Sequence, residues 1–194
     1  MCSRFELNAT PKDLAQCFGL DWVPDTFTRG EIRPTNQIIC VGSNGPFINS
    51  WGLKVNWDSH PLINARAETL NKKRTFRPLL NSRCLIPASA YFEWRREGGM
   101  RLKNRIVIPT LPLFAFAGLT DGEYVTIVTC QPVPSIAQIH SRMPVILSLD
   151  GQKAWIDDNR DYYDVAEMVI TRLDLNPTAE EEVPPPPQQG DLFD

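Results

Sequence analysis

Short apolar runs bounded by glycine, proline or asparagine recur along most of the chain. They are rich in β-branched and aromatic side chains, which favour β-strands. EGG at 97–99 and DGE at 121–123 lie between such runs and predict hairpin turns. The predicted strands are QIICV (37–41), RCLIP (83–87), AYFEWR (90–95), RIVI (105–108), LFAFAGL (113–119) and YVTIVTC (124–130).

Helical patterns are fewer and shorter. The spacing of apolar positions predicts a helix over Lys12–Phe18 and another that follows Asn64. PSIAQIH predicts a short helix that ends at His140, and SLDGQKAWID predicts one that Ser148 caps. We therefore expect an α+β fold in which mainly antiparallel strands curl into a barrel-like core with a few short helices.

The composition changes near the C-terminus. Residues 1–178 predict one domain, whereas residues 179–194 contain an acidic run, four consecutive prolines and a polar end. We expect this second segment to be a disordered tail. The tail has five acidic and no basic residues, so the net charge of −3 hides a domain with 20 basic and 18 acidic residues. Many of the cations cluster in segments 72–83 and 95–105, as a phosphate-binding face or as a solvated surface.

Composition also excludes several classes of protein. The five cysteines are scattered without a CxxC pair, and only two histidines are present, which argues against a disulfide framework, a metal site or a cofactor. No apolar run is long enough to span a membrane, and the N-terminus lacks a signal-peptide pattern. We expect a cytoplasmic, monomeric protein without a membrane partner.

The chain opens MCSRF, with a cysteine at the second position. Methionine aminopeptidases usually remove Met1 when the next side chain is as small as that of Cys. Cys2 would then carry a free α-amine beside its thiol, with unperturbed pKa values of about 8 and about 8.5. Such an aminothiol condenses with an aldehyde to an imine and closes to a thiazolidine, or attacks acyl groups as a nucleophile. The alternative is that a cysteine near the N-terminus has no functional role.

Three other polar residues have structural explanations when they are taken singly. Asn64 could cap the helix predicted for ARAET. Glu93 lies between Phe92 and Trp94, and strand alternation turns it away from both rings, toward solvent. His140, at the end of its predicted helix, could interact with the helix dipole.

Taken together, four stretches are more specific. They are MCSRF, INARAET (63–69), CLIPASAYFEW (84–94) and IHSRMPVIL (139–147), accompanied by FAGL and by WGL before Trp57. Their combination and order resemble the SRAP family, the SOS-response-associated peptidase-like proteins that shield abasic sites in single-stranded DNA. The resemblance extends over 2–176 and implies an SRAP-like fold. By this resemblance the active-site residues are Cys2, Asn64, Glu93 and His140.

The resemblance implies a reversible DNA–protein crosslink. A ring-opened abasic sugar exposes an aldehyde at C1′, where the Cys2 amine forms an imine and the Cys2 sulfur closes a thiazolidine. His140 and Glu93 are the acid–base groups, and a partly apolar pocket should raise the pKa of Glu93. Asn64 holds the amine or a sugar hydroxyl in place. An imine that fails to close can eliminate, which implies a β-lyase side activity.

Expected DNA contacts follow from position and charge. Three arginines lie within two residues of a catalytic position, and two more belong to the first basic cluster, where guanidinium groups can bind phosphates. Two tryptophans offer stacking surfaces for unpaired bases, with core packing as the alternative for both. The residues are Arg4, Arg66, Arg142, Arg74, Arg77, Trp51 and Trp57.

QGDLF at 189–193 resembles the peptide by which bacterial proteins dock on the replicative sliding clamp. An apolar pair at the end of a disordered arm suits a groove-binding anchor, and an incidental acidic tail is the alternative. A clamp partner would place the protein at replication forks of a bacterium or phage. The expected contacts are Gln189, Asp191, Leu192 and Phe193.

Two other functions use the same sequence features. In a peptidase, Cys2 would attack a peptide carbonyl with His140 as base, after removing Met1 by self-cleavage. The arginines beside the catalytic positions favour DNA, and no oxyanion-hole motif is evident. A non-catalytic single-strand binder would leave Cys2, Glu93 and His140 without a joint purpose.

Overall fold

A computed structural model of the chain describes residues 2–170 and 176–182. The α-helices are α1 (Pro11–Phe18), α2 (Pro134–Ala137), α3 (Leu149–Trp155) and α4 (Tyr162–Ile170), with 3₁₀ turns at Ala67–Thr69 and Arg77–Leu79. The strands are β1 (Arg4–Leu7), β2 (Gly30–Ile32), β3 (Gln37–Gly42), β4 (Gly45–Trp51), β5 (Leu53–Val55), β6 (Asp58–Leu62), β7 (Asn64–Arg66), β8 (Arg83–Ala88), β9 (Ala90–Glu97), β10 (Met100–Val107), β11 (Phe114–Thr120), β12 (Tyr124–Cys130), β13 (Met143–Pro144), β14 (Ile146–Leu147) and β15 (Thr178–Glu181).

Five strands close into a barrel. Its order is β12, β4, β3, β8 and β11, and β11 pairs with β12 to complete the ring. All of these pairings are antiparallel except β12–β4, which is parallel. β7 adds to β12 in parallel register, and this brings the NAR segment to the edge of the barrel.

A second sheet with the order β15-β10-β9-β1-β2 packs against the barrel. Phe5 of β1 makes edge-to-face contacts with two barrel side chains, Trp51 at 5.1 Å and Phe116 at 5.7 Å between ring centroids. Tyr91 of β9 reaches Phe116 at 6.1 Å. These buried aromatic contacts fix the N-terminal strand against the barrel, because such pairs stabilise beyond their burial alone.

The structure confirms the fold class: mainly antiparallel strands form a barrel core with a few short helices. Each of the six predicted strands is present, and RIVI is the end of the longer β10. The helix predicted for Lys12–Phe18 is α1, and Ser148 caps α3 by accepting a hydrogen bond from the Gly151 N–H.

Three sequence predictions were wrong in their boundaries. No α-helix follows Asn64 in the described ranges around it; Asn64 lies in β7, and only a 3₁₀ turn follows. The helix predicted to end at His140 ends at Ala137, so His140 lies in the loop beyond it. β15 continues to Glu181, beyond the domain end predicted at 178, where it pairs with β10 and Glu181 contacts Arg95 of β9. The clamp-like peptide at 189–193 lies outside the described residues.

Within residues 2–170 and 176–182, no helix combines the length and apolar character needed to cross a membrane.

Candidate active site

Cys2 lies two residues before the start of β1 and is completely buried. Its Sγ donates a hydrogen bond to the carbonyl oxygen of Arg4 at 3.3 Å. Burial, and then the negative charge of Glu93, raises the pKa of the thiol well above its usual range. The group at this position is therefore a protonated thiol rather than a thiolate.

Asn64 reaches Cys2 from β7, the strand that pairs with β12. Its Nδ2 donates to the carbonyl oxygen of Cys2 at 2.7 Å. Its Oδ1 is buried and accepts no hydrogen bond from the part of the chain that the structure describes. A buried acceptor without a partner is costly, so this oxygen is suited to accept an N–H or O–H from a reacting group.

Glu93 reaches the same region from β9, which pairs with β1. The orientation toward solvent that alternation allowed was wrong, because the side chain is only 2% exposed. Burial raises the pKa of Glu93 from its ordinary value near 4.5 to about 7. The carboxyl group can therefore give and take a proton near neutral pH.

His140 follows α2 and faces Glu93, with 3.8 Å between its Nδ1 and Oε1 of Glu93. The same nitrogen lies 3.1 Å from both the backbone N–H and the carbonyl oxygen of Arg142, so its tautomer decides which contact is a hydrogen bond. Burial lowers the pKa of His140 below its ordinary value. The imidazole is thus mainly neutral at pH 7 and available as a proton acceptor.

Arg142 connects segments that flank the site. Its guanidinium donates to both carboxylate oxygens of Glu68, at 2.7 and 2.9 Å, and to the carbonyl oxygen of Thr129 at 2.7 Å. The residue is 8% exposed, so the structure does not present it to a DNA phosphate as the sequence suggested. It instead joins the turn after β7 to the loop that carries His140.

A cavity of about 130 Å³ opens beside the two acid–base groups. Ser3, Trp94, Arg96 and Arg101 complete its lining with Glu93 and His140. A larger cavity of about 650 Å³ lies at the β5–β6 hairpin and is lined by none of the four candidate active-site residues, so we place the chemistry at the smaller one. Across the described residues, no group of three or more His, Cys, Asp or Glu is arranged to hold a metal ion.

The other predicted DNA contacts divide by exposure. Arg66, Arg74 and Arg77 are exposed on β7 and the segment after it. Arg4 is half-buried, pairs with Glu31 at 2.8 Å and packs over the Trp94 ring. Arg66, Arg74 and Arg77 are therefore the predicted DNA-contacting arginines whose side chains are exposed to solvent.

The two tryptophans differ in the same way. Trp57 is 68% exposed and presents its ring to solvent. Trp51 is completely buried, and its indole N–H donates to the carbonyl oxygen of Ile63 at 3.0 Å. Core packing is therefore the role of Trp51, and the expectation that it stacks on bases was wrong.

Sequence reasoning missed two neighbours of the site. Glu68, in the NARAET motif, fixes Arg142. Tyr91 is buried, its hydroxyl has no hydrogen-bond partner among the described residues, and burial raises its pKa. Tyr91 precedes Glu93 by two residues on β9, so strand alternation was a signal that could have identified it.

The model of the family described as SOS response associated peptidase (SRAP) matches residues 1–183. The chain is 34% identical to the abasic site processing protein YoaM of Bacillus subtilis over 91% of this chain and 88% of that protein. It is 28% identical to the abasic site processing protein YedK of Escherichia coli, over 80% of this chain and 79% of that protein.

A solved structure has the same fold. The crystal structure of a protein from Bacteroides thetaiotaomicron superposes with a TM-score of 0.78 and 21% sequence identity, over 92% of this chain and 91% of that one.

Proposed function

This chain belongs to the SRAP family, and we propose that it crosslinks itself to abasic sites in single-stranded DNA through Cys2 after Met1 is removed. Relatives named abasic site processing proteins support a role in abasic-site processing. The proposal adds a thiazolidine as the covalent product and its reversal as a means of release.

The observation that carries the proposal is that Asn64 contacts Cys2 while Glu93 and His140 meet at a cavity that Ser3 also lines. Asn64 holds the Cys2 carbonyl at 2.7 Å, and Glu93 and His140 lie 3.8 Å apart at the adjoining cavity. They come from β7, from β9 and from the loop after α2, respectively. A hydrogen-bonding amide, a carboxyl group with a pKa of about 7 and a neutral imidazole are the groups that imine chemistry needs.

The proposed reaction begins with the amine. The lone pair of the neutral Cys2 nitrogen attacks C1′ of the ring-opened sugar, and a proton moves from nitrogen to oxygen to give a carbinolamine. Protonation of its hydroxyl expels one water and leaves an iminium ion. The Cys2 sulfur then adds to C1′, the thiol proton is released, and the ring closes with large effective molarity. The sum is aldehyde plus aminothiol giving thiazolidine plus water.

Glu93 and His140 have complementary roles in these steps. With its pKa at about 7, Glu93 can protonate the leaving hydroxyl and, once ionised, stabilise the iminium charge. Neutral His140 accepts the proton that the thiol or the amine releases. The unpaired Oδ1 of Asn64 accepts a hydrogen bond from the amine or a sugar hydroxyl. An iminium that does not close can lose the 3′ phosphate by β-elimination, as a lyase side reaction.

The peptidase alternative requires a different Cys2. A cysteine that attacks peptides is activated as a thiolate, by a partner that lowers its pKa. Burial and the Glu93 charge act in the opposite direction here. An amine-first reaction does not need the thiolate at the start, which favours crosslinking over peptide hydrolysis.

The test uses the purified protein, with its intact mass measured to confirm loss of Met1. It is mixed with a single-stranded oligonucleotide bearing one abasic site and run on a denaturing gel. We expect a heat-stable band without reductant, at the summed mass less one water. Cys2→Ser is the matched control, because it keeps the amine and a small second residue: it should give a stable band only when cyanoborohydride reduces the imine.

The outcomes separate the functions. No band from wild-type protein that lacks Met1 overturns the crosslinking proposal. Hydrolysis of a peptide library that Cys2→Ser abolishes would instead establish the peptidase.

Two partners belong to the proposal. Exposed Arg66, Arg74 and Arg77 bind phosphates of the strand, and Trp57 stacks on a base. The peptide 189–193 docks the monomeric protein on a bacterial sliding clamp. Full-length protein and a Leu192→Ala/Phe193→Ala variant, compared for binding to purified clamp by calorimetry, test the second point: equal affinities would exclude the peptide as the anchor.

A further inference from the structure

Two arginines face each other across the β9–β10 hairpin. Arg96 of β9 and Arg101 of β10 are direct partners in the antiparallel register, and both are exposed. Like charges directly opposite each other destabilise a strand pair. Neither guanidinium forms an ion pair with a carboxylate in residues 2–170 or 176–182. The hairpin therefore keeps a repulsive pair of charges without an internal counter-charge.

The other cations of these two strands are arranged differently. Each of them contacts at least one carboxylate, so its charge is neutralised within the protein, in two cases by the acidic segment at β15. The charge that remains uncompensated on the hairpin is confined to the Arg96–Arg101 pair. The neutralised pairs are Arg95 with Glu97 and Glu181, Lys103 with Glu31 and Glu182, and Arg105 with Glu6.

The uncompensated pair lies at the active site. Arg96 and Arg101 line the cavity of about 130 Å³ together with Glu93 and His140. The Arg101 guanidinium packs over the Trp94 ring, with 5.7 Å between its carbon and the ring centroid. This cation–π contact holds the exposed charge beside the cavity.

We propose that Arg96 and Arg101 together bind one phosphodiester group of the DNA strand beside the lesion sugar. The proposal rests on the proposed function, because that function places the sugar next to Glu93 and His140. Planar guanidinium groups match the two free oxygens of a phosphodiester. An anion between the two arginines replaces their repulsion with two attractions, so the pair is a site that DNA completes.

The first experiment measures binding without chemistry. The probe is a labelled single strand with a tetrahydrofuran abasic analogue, which has no aldehyde, and its affinity is measured by anisotropy over a range of salt concentrations. Arg96→Gln/Arg101→Gln is compared with Lys12→Gln/Lys153→Gln, which removes the same charge from exposed helical positions away from the cavity. Urea unfolding of both variants establishes that they are folded.

We expect the arginine variant to lower the slope of log affinity against log salt by about 0.7, since the pair neutralises one phosphate and each neutralised phosphate on a single strand contributes about 0.7. Its affinity at low salt should fall about tenfold or more, because charge-assisted hydrogen bonds are lost. The lysine variant should keep the wild-type slope. Equal slopes in the two variants would overturn the proposal and make the pair a solvated surface.

A second measurement locates the phosphate. Single phosphates on each side of the analogue are replaced by neutral methylphosphonate. Methylphosphonate at one position next to the lesion should lower the affinity of the wild-type protein. The same substitution should not lower the affinity of the arginine variant. Additive losses would overturn the proposal. Wild-type crosslinking of an aldehyde-bearing strand is scored separately, so its failure would overturn the proposed function while the binding data still decide whether the pair contacts phosphate.

Discussion

The side-chain amide of Asn64 donates to the carbonyl oxygen of Cys2 across 2.7 Å, and this contact joins β7 to the start of the chain. The opposite end of the amide is a buried acceptor without a partner in the described structure. One side chain thus positions the Cys2 backbone and, in the proposed reaction, leaves an oxygen for the reacting group.

Asn64→Ala should slow crosslinking by up to about 100-fold, because the Cys2 backbone loses its positioning contact. The free energy of unfolding should fall by only about 1 kcal/mol, for one hydrogen bond. Single-turnover gels and urea unfolding measure the two effects. Asn49→Ala is the control, since buried Asn49 hydrogen-bonds to Thr120 away from the site. Equal slowing in both variants would mean that stability alone causes the effect.

Glu93 makes stability depend on pH with a defined sign. Its folded pKa, about 7, lies above its ordinary value near 4.5, so between these values the folded state binds more protons and stability falls as pH rises. Glu93→Gln removes this loss. Relative to wild type, its free energy of unfolding should rise by up to about 3 kcal/mol between low pH and pH above 7. His140, whose folded pKa is lowered, contributes the opposite slope below its ordinary pKa in both proteins. Urea unfolding at pH 5 and pH 8 measures the free energies of unfolding of both proteins. The same difference between variant and wild type at both pH values would contradict the prediction.

Arg142 and Arg66 should separate positioning from DNA contact. Arg142→Gln removes charge-assisted hydrogen bonds to Glu68 and to the Thr129 carbonyl and should destabilise the fold by about 1–3 kcal/mol, without changing the salt dependence of DNA binding. Exposed Arg66→Gln should leave stability unchanged and lower the salt slope by about 0.7. Unfolding and anisotropy on both variants test this. A lower salt slope in Arg142→Gln would restore that residue as a phosphate contact.

The tryptophans should separate in the same two assays. Trp57→Ala should weaken single-strand binding by about 1–3 kcal/mol if its exposed ring stacks on a base, with unchanged stability. Trp51→Ala should lose about 3–5 kcal/mol of stability, because it empties the contact with Phe5. If Trp57→Ala binds DNA as wild type does, stacking is excluded.

The sequence predicted the strands better than it predicted side-chain direction. Local patterns locate a strand, and the motifs identify Cys2, Asn64, Glu93 and His140, which the fold brings to one region. Arg142 was misassigned because nearness to a catalytic residue in sequence does not determine which face a side chain takes.

Non-local pairing explains the other errors. Asn64 adopts a strand because β7 adds to β12, a partner more than sixty residues away. The acidic β15 has little strand propensity of its own, and it forms against β10, while Glu181 reaches Arg95 of β9 beyond it. Neither partner is visible in a local window of sequence.

The pairing of β1 with β9 sets an order of events during synthesis. Arg4 of β1 pairs in register with Phe92 of β9. The strand that follows Cys2 therefore lacks this partner until β9 has left the ribosome. At ordinary translation rates this interval lasts roughly 5–20 s. Within that interval the N-terminus has no β9 partner and is open to an aminopeptidase. Removal of Met1 at this stage would give the proposed reaction its free Cys2 amine before β1 pairs with β9.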